Sequence, residues 1–345
     1  MNPDMNFLTL PSEAPAGKVQ LSLAHLAPDH PKAVVVLVHG MAEHKERYFP
    51  VMTYLAEMGF ASVIFDLRGH GASVATKDDL GHFGKKGVDS LLSDTQRVVE
   101  WAHTRFPGLK LFLFGHSMGS LIVRCYTRQH DDTLDGLVVC GSPSANPATG
   151  AGIFLTYVVQ LFKGAHYRST TIAKLVFGGY EKPLAKEAPQ GVHNKWLSTN
   201  MANVEAYNND PLCGFKFTVN GYRTLFQLMQ TTYSDKGWKV TKPALPVHFM
   251  AGGQDPCIGS VDKFSKAVDS LRRAGYANIT TKLYPGLRHE ILNEIGREDV
   301  WRDLAALLGG RPVRRRFFDF RAKVPVWPGD EIRPEERAVI VLEGI

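Results

Sequence analysis

LFLFGHSMGS, residues 111–120, passes from four apolar residues through Gly115-His116-Ser117-Met118-Gly119 into LIVRCYTRQ, a run suited to a helix. A buried strand that turns abruptly into a helix is the repeating unit of a parallel α/β sheet. The Gly-x-Ser-x-Gly pattern at such a turn holds the serine in a strained backbone conformation, and the strain lifts its hydroxyl clear of the sheet. Gly115 and Gly119 are required because a Cβ at either would meet the crossing strand and helix. Met118, at the helix start, has a backbone N–H with no partner inside the helix, free to donate to a developing oxyanion. The five-residue pattern alone also fits an ordinary turn; its place between strand and helix singles it out.

An oxyanion hole needs a second donor, and VVLVHGMAEH, residues 35–44, offers the Met41 N–H just past another buried strand. Gly40 lets the chain turn sharply there, with His39 and Glu43 as supports of the turn; His39 and His44 read as loop hydrogen-bonding residues rather than catalysts. Serine also needs an imidazole to take its proton and an acid to fix the imidazole's tautomer. The expected chain order is Ser, Asp, His. PVHFMAGGQDP supplies Asp255 after a late strand, and TKLYPGLRHEILNE supplies His289 after the final one. His116 and His70 do not fit that order as bases. Cys257, two residues beyond Asp255, either borders the pocket or is a small core residue.

Six β-branched runs read as buried strands: Ala33 to Val38, Ala61 to Asp66, Leu109 to Phe114, Gly136 to Cys140, Val247 to Ala251 and Thr280 to Tyr284. Val19 to His25 reads as an antiparallel lead-in. Helical periodicity marks Leu91 to Arg105, Val261 to Ala274 and Glu290 to Leu308. The fold class is therefore α/β, a mostly parallel sheet with helices on both faces. About a hundred residues separate the strands near Cys140 and Val247, far beyond an ordinary crossover, so residues 143–242 read as an inserted helical cap. The core is then 1–142 with 243–310. Residues 311–345, basic and aromatic before turning rich in proline and charge, read as a solvated or disordered extension in preference to an Arg-rich contact with acidic surfaces.

Composition narrows the function classes. A net charge of +6, from 40 basic and 34 acidic residues, is too mild and dispersed for a nucleic-acid partner. The four cysteines and thirteen histidines show no metal-ligand or disulfide spacing. The longest apolar runs fall short of the roughly 20 residues of a membrane-spanning helix. The first residues lack the features of a signal peptide, which makes a cytoplasmic location the expectation.

The segments HGMAEHKERY, DLRGHGAS, GHSMGS, GGQDP and YPGLRHEILNE together resemble, in order and spacing, the monoacylglycerol lipase and lysophospholipase branch of the α/β-hydrolases, also labelled serine aminopeptidase-like. The resemblance runs from about Gln20 to Leu308. It implies a cofactor-free ester hydrolase with Ser117, Asp255 and His289 as triad and Met41 and Met118 as oxyanion amides, acting on a small lipid-like ester. WLSTNMANVEAYNNDPLCGF looks like the cap segment of bacterial members, which follows a mobile apolar helix. That helix would lie near Gly152 to Phe162, with Ile153, Phe154 and Tyr157 as candidate acyl-binding residues or as part of a surface touching a membrane or micelle. Packing on the cap's own core is the competing reading of that helix. The residues themselves leave acyl transfer, aminopeptidase activity and a non-catalytic ligand receptor open as alternatives to hydrolysis.

Overall fold

The computed structural model of the protein describes residues 4–14, 19–181, 192–311, 317–319 and 324–326. Along the chain run β1 (Asn6–Pro11), β2 (Gln20–Leu26), β3 (Ala33–Val38), α1 (Phe49–Glu57), β4 (Ala61–Phe65), α2 (Gly87–Arg105), β5 (Lys110–His116), α3 (Met118–His130) and β6 (Gly136–Cys140). Then come α4 (Thr149–Lys163), α5 (Thr170–Phe177), α6 (Met201–Asn209) and α7 (Val219–Thr232), followed by β7 (Val247–Gly252), α8 (Val261–Ala274), β8 (Ile279–Tyr284) and α9 (Arg297–Leu308).

Eight strands form one sheet in the order β1-β2-β4-β3-β5-β6-β7-β8, antiparallel at β1/β2 and β2/β4 and parallel from β4 onward. Central strands read as unbroken apolar runs because both their faces are covered. In β3, Val34, Val36 and Val38 belong to the apolar layer that includes side chains of α2, α3 and α8, while Val35 and Leu37 belong to the layer on the opposite face with those of α1 and α9. β5 divides the same way: Leu111 and Leu113 face one layer, Phe112 and Phe114 the other. This rigid centre fixes the C-terminal ends of β3, β5, β7 and β8, the edge at which open α/β sheets place their ligands.

All six expected strands stand where the sequence places them, to within two residues, and five of them are buried. The sixth, β8, is not: it forms an edge of the sheet, with Thr280, Thr281, Lys282 and Leu283 only half-buried. Two further points differ from expectation. The helix expected from Glu290 begins only at Arg297, after Gly296 in the left-handed region at φ 79°. Residues 290–296 form turns instead, because Glu290 and Glu294 spend their carboxylates on distant partners. Glu294 accepts the N–H groups of Arg288, Thr199 and Asn200, tying this segment to the chain before α6. Strand β1 was not foreseen; only Leu10 of its residues is buried apolar, so it lacks the pattern of a covered strand.

α7 belongs to the core that lies beneath α2 and α3, through Val219, Tyr222, Leu225 and Leu228. α4 packs on α7: Gly152 lies against Phe226, and Gln160 accepts a hydrogen bond from Arg223. Only one side of α4 is used in this way. Phe154, Leu161 and Phe162 stand 70%, 81% and 76% exposed. The packing reading therefore holds for one face of this helix, and the other face is exposed and apolar. None of the described helices is long and apolar enough to cross a membrane. Of residues 311–345, β9 (Phe317–Asp319) and β10 (Val324–Val326) pair with each other, apart from the main sheet; most of the rest lies outside the described residues.

Candidate active site

Ser117 sits between β5 and α3 with φ 53° and ψ −120°, a strained backbone for a residue with a side chain. Its N–H donates to the Cys140 carbonyl at 2.9 Å, and its carbonyl accepts the Ser120 N–H at 2.9 Å, so the turn is bonded to its neighbours on both sides. A Cβ on Gly119 would fall on the Val38 carbonyl oxygen and 2.6 Å from that of His39; one on Gly115 would strike the Gly119 carbonyl. Strand, turn and helix approach closely enough here that only glycine fits.

The loop after β3 is held in equal detail. His39 is fully buried, with Nε2 accepting the Leu67 N–H at 3.0 Å and Nδ1 bonding the Gly40 carbonyl at 2.8 Å. Burial pushes its pKa down to about 3, so the ring is neutral and Nδ1 carries the proton. The Gly40 carbonyl and the Met41 N–H share one trans peptide and point in opposite directions. With the carbonyl turned to His39, the Met41 amide is aimed away from that ring, and Met41 is among the residues that line the cavity. Glu43 accepts the Gly40 N–H at 2.5 Å and the Tyr48 hydroxyl at 3.0 Å. A Cβ on Gly40 would lie 2.7 Å from the Glu43 carboxylate and 3.0 Å from the Ser117 Cβ, which explains the glycine. Neither the Met41 nor the Met118 N–H has an acceptor among the described residues.

Asp255 and His289 follow β7 and β8. Asp255 divides its carboxylate: Oδ1 accepts the Cys257 N–H at 2.8 Å, and Oδ2 lies 2.9 Å from His289 Nδ1. Both side chains are buried. Burial pulls the His289 pKa down, but the Asp255 carboxylate and its hydrogen bond outweigh this, with Glu290 and Glu43 adding, and the net shift is upward. The imidazole is gripped between two rings, His116 at 4.6 Å and Trp196 at 4.9 Å between centroids. His116 is itself held neutral, its pKa pushed well down first by burial and then by His289.

Ser117, Met41, Met118, His116, Cys257 and His289 all line one cavity of about 640 Å³. Its remaining wall is largely apolar, with Phe177, Trp196, Leu225, Phe226 and Met229 contributed by the chain between β6 and β7. Ile153, Phe154 and Tyr157, expected against an acyl chain, lie on α4 outside the described lining; Phe154 and Tyr157 face outward. α4 is apolar almost all round, so periodicity alone does not say which side points where. Cys257 meets both expectations, buried and lining the pocket. Sequence reasoning missed Trp196 and the ring contact of His116, because neither spacing nor motif reports stacking across the fold.

Among the described residues two groups place three potential metal ligands within 4.8 Å of one another: His44, Asp210 and Cys213, and Asp255, Cys257 and His289. In each, the histidine already bonds the aspartate, and burial pushes the thiol pKa up, holding the cysteine neutral. In both clusters the histidine and aspartate are hydrogen-bonded to each other.

The chain is similar to known proteins over most of its length. The family described as serine aminopeptidase, S33, matches residues 29–296. A monoacylglycerol lipase of Mycolicibacterium smegmatis is 29% identical over 86% of this chain and 95% of its own. Phospholipase YtpA of Bacillus subtilis is 26% identical over 79% of this chain and 94% of its own. Among solved structures, a highly thermostable carboxyl esterase from Bacillus coagulans, in complex with glycerol, superposes with a TM-score of 0.79 at 26% identity, covering 89% of this chain and 99% of that one. Sheet order, strand-to-helix serine turn and family match agree: the chain belongs to the serine aminopeptidase S33 family and is an ester hydrolase of the α/β-hydrolase fold.

Proposed function

We propose that the protein cleaves monoacylglycerols or lysophospholipids, with Ser117 as nucleophile, His289 as base and Asp255 as the acid that orients it. The observation that carries this reading is the His289–Asp255 hydrogen bond at 2.9 Å, set beside a strained serine turn in one apolar cavity. Residues 143–242 serve as the cap. The acyl chain lies among Phe177, Leu225, Phe226 and Met229, and the ester carbonyl reaches Ser117.

The steps follow from these groups. His289 takes the Ser117 proton as the oxygen attacks the carbonyl carbon, and the resulting oxyanion accepts from the Met41 and Met118 amides. One buried donor of this kind is worth about 3 kcal/mol in the transition state. His289 then returns the proton to the departing alcohol, and water repeats the sequence on the acyl-enzyme. The names of the lipase and phospholipase relatives support the lipid ester as substrate.

A panel of monoacylglycerols, lysophospholipids, short aryl esters and aminoacyl arylamides, assayed across pH, tests this. Long-chain acyl esters are expected to give the highest kcat/KM. The base must be neutral, and the shift of His289 is upward, so activity is expected to rise with pH through a limb above the ordinary imidazole value of about 6.5. Preference for arylamides, or a limb below that value, would count against the assignment.

The outward face of α4, with Phe154, Tyr157, Leu161 and Phe162 exposed, is the surface we assign to contact with a membrane or micelle. Replacing Leu161 and Phe162 together with glutamate is expected to reduce co-sedimentation with phosphatidylcholine vesicles at least severalfold, with hydrolysis of a short soluble ester unchanged. Undiminished vesicle binding would remove this role.

A further inference from the structure

Ala42, the residue after Met41, adopts φ 53°, a left-handed conformation that L-residues other than glycine, asparagine and aspartate seldom take. Nothing in an alanine side chain favours it, so bonds from outside must impose it. Three do. The Ala42 N–H donates to His70 Nε2 at 3.2 Å, and its carbonyl accepts both the Tyr207 hydroxyl at 3.0 Å and the Gly214 N–H at 2.9 Å. His70 belongs to the sheet's own loops. Tyr207 on α6 and Gly214 just beyond it belong to the chain between β6 and β7.

The same loop has further ties to that chain. His44 Nε2 lies 2.9 Å from the Asp210 carboxylate, and Arg47 donates to Asn203 at 3.2 Å with its guanidinium 5.0 Å over the Tyr207 ring. Arg47 and Asn203 both donate to Glu290, the residue beside His289. Residues 40–47 are therefore shaped from two sides, and the peptide planes next to the Met41 amide are fixed partly from the cap side.

We infer that Tyr207 is a positioning residue, whose hydroxyl, by holding the Ala42 carbonyl, aims the Met41 N–H at the oxyanion. The inference rests on the reading of Met41 as an oxyanion donor. It makes α6 part of the catalytic geometry without touching the reacting atoms: a hydrogen bond from the cap sets the direction of a donor in the core. Phenylalanine at 207 keeps the ring and its contact with Arg47 and removes only the hydroxyl.

The test compares two inhibitors in wild type, Tyr207→Phe and Asp210→Asn. A long-chain trifluoromethyl ketone forms a tetrahedral adduct on serine and so presents an oxyanion; an ether analogue of a monoacylglycerol occupies the same cavity without one. Both bind only folded protein, so the ratio of their affinities is independent of any loss of stability. Tyr207→Phe is expected to weaken the ketone and lower kcat roughly tenfold, a fraction of the hundredfold or more that follows outright loss of a donor. Ether affinity and KM are expected to stay unchanged, and Asp210→Asn to shift the ratio in the same direction. A ratio equal to that of wild type in Tyr207→Phe overturns the inference. If the ketone fails to add to Ser117 in wild type, the serine-hydrolase reading fails instead, and the two failures are distinguishable.

Discussion

Ser117→Ala is expected to lower turnover of the best ester substrate by roughly a millionfold, while leaving the protein folded and its cavity able to bind the ether analogue. The size follows from the way the groups act as a unit. Without the hydroxyl, His289 has no proton to take, and Asp255 then orients a base that does nothing. What survives is the contribution of the cavity and the two amides, which act on attacking water and account for a residual acceleration over solution of order a thousandfold or more. Folding is spared because alanine keeps the Cβ that already occupies φ 53°, and the turn's bonds to Cys140 and Ser120 run through the backbone. The measurement pairs steady-state hydrolysis with labelling by a fluorophosphonate. Wild type is expected to label at Ser117 and the variant not at all. Esterase activity within tenfold of wild type, or equal labelling, would remove Ser117 from the mechanism.

The elements on which this depends are those most legible in the chain itself. Ser117 and Asp255 follow strands buried on both faces, which leave no alternation to misread, and His289 follows the half-buried edge strand β8, which its β-branched Ile279, Thr280 and Thr281 mark instead. Gly115 and Gly119 are legible for a different reason: collision with a carbonyl oxygen admits one residue type only. What stayed hidden depends on distant partners. The start of α9 is decided by Glu294, whose carboxylate serves Thr199 and Asn200 some ninety residues earlier, and no local periodicity carries that information. Trp196 reaches the His289 ring from the inserted chain, and Tyr207 reaches Ala42 across a still longer span. The two faces of α4 escaped because both are apolar; packing on α7, through Gly152 and Gln160, decides which is covered. Sequence thus reports the residues proposed to perform the chemistry, and tertiary contacts supply those proposed to aim them.

Asp255→Asn is expected to be the most damaging isosteric change, lowering kcat by about ten-thousandfold with little effect on KM. The divided carboxylate gives the reason. Oδ1 accepts from the Cys257 N–H, a backbone donor that cannot reverse its role, so the asparagine oxygen must take that place. The amide nitrogen is then the atom facing His289 Nδ1, where a carboxylate oxygen stood at 2.9 Å. A donor there requires Nδ1 to accept, which moves the imidazole proton to Nε2. Nε2 is the nitrogen that must be bare to receive the Ser117 proton. The opposite rotamer sets two N–H groups of residues 255 and 257 head to head in a buried site, so the variant has no easy escape from the wrong tautomer. Two measurements check this: kcat and KM on the best ester, and imidazole nitrogen shifts, which are expected to place the His289 proton on Nδ1 in wild type and on Nε2 in the variant. A loss smaller than tenfold, or a proton still on Nδ1, would mean that Asp255 does not set the state of the base, and the orienting acid would have to be sought elsewhere.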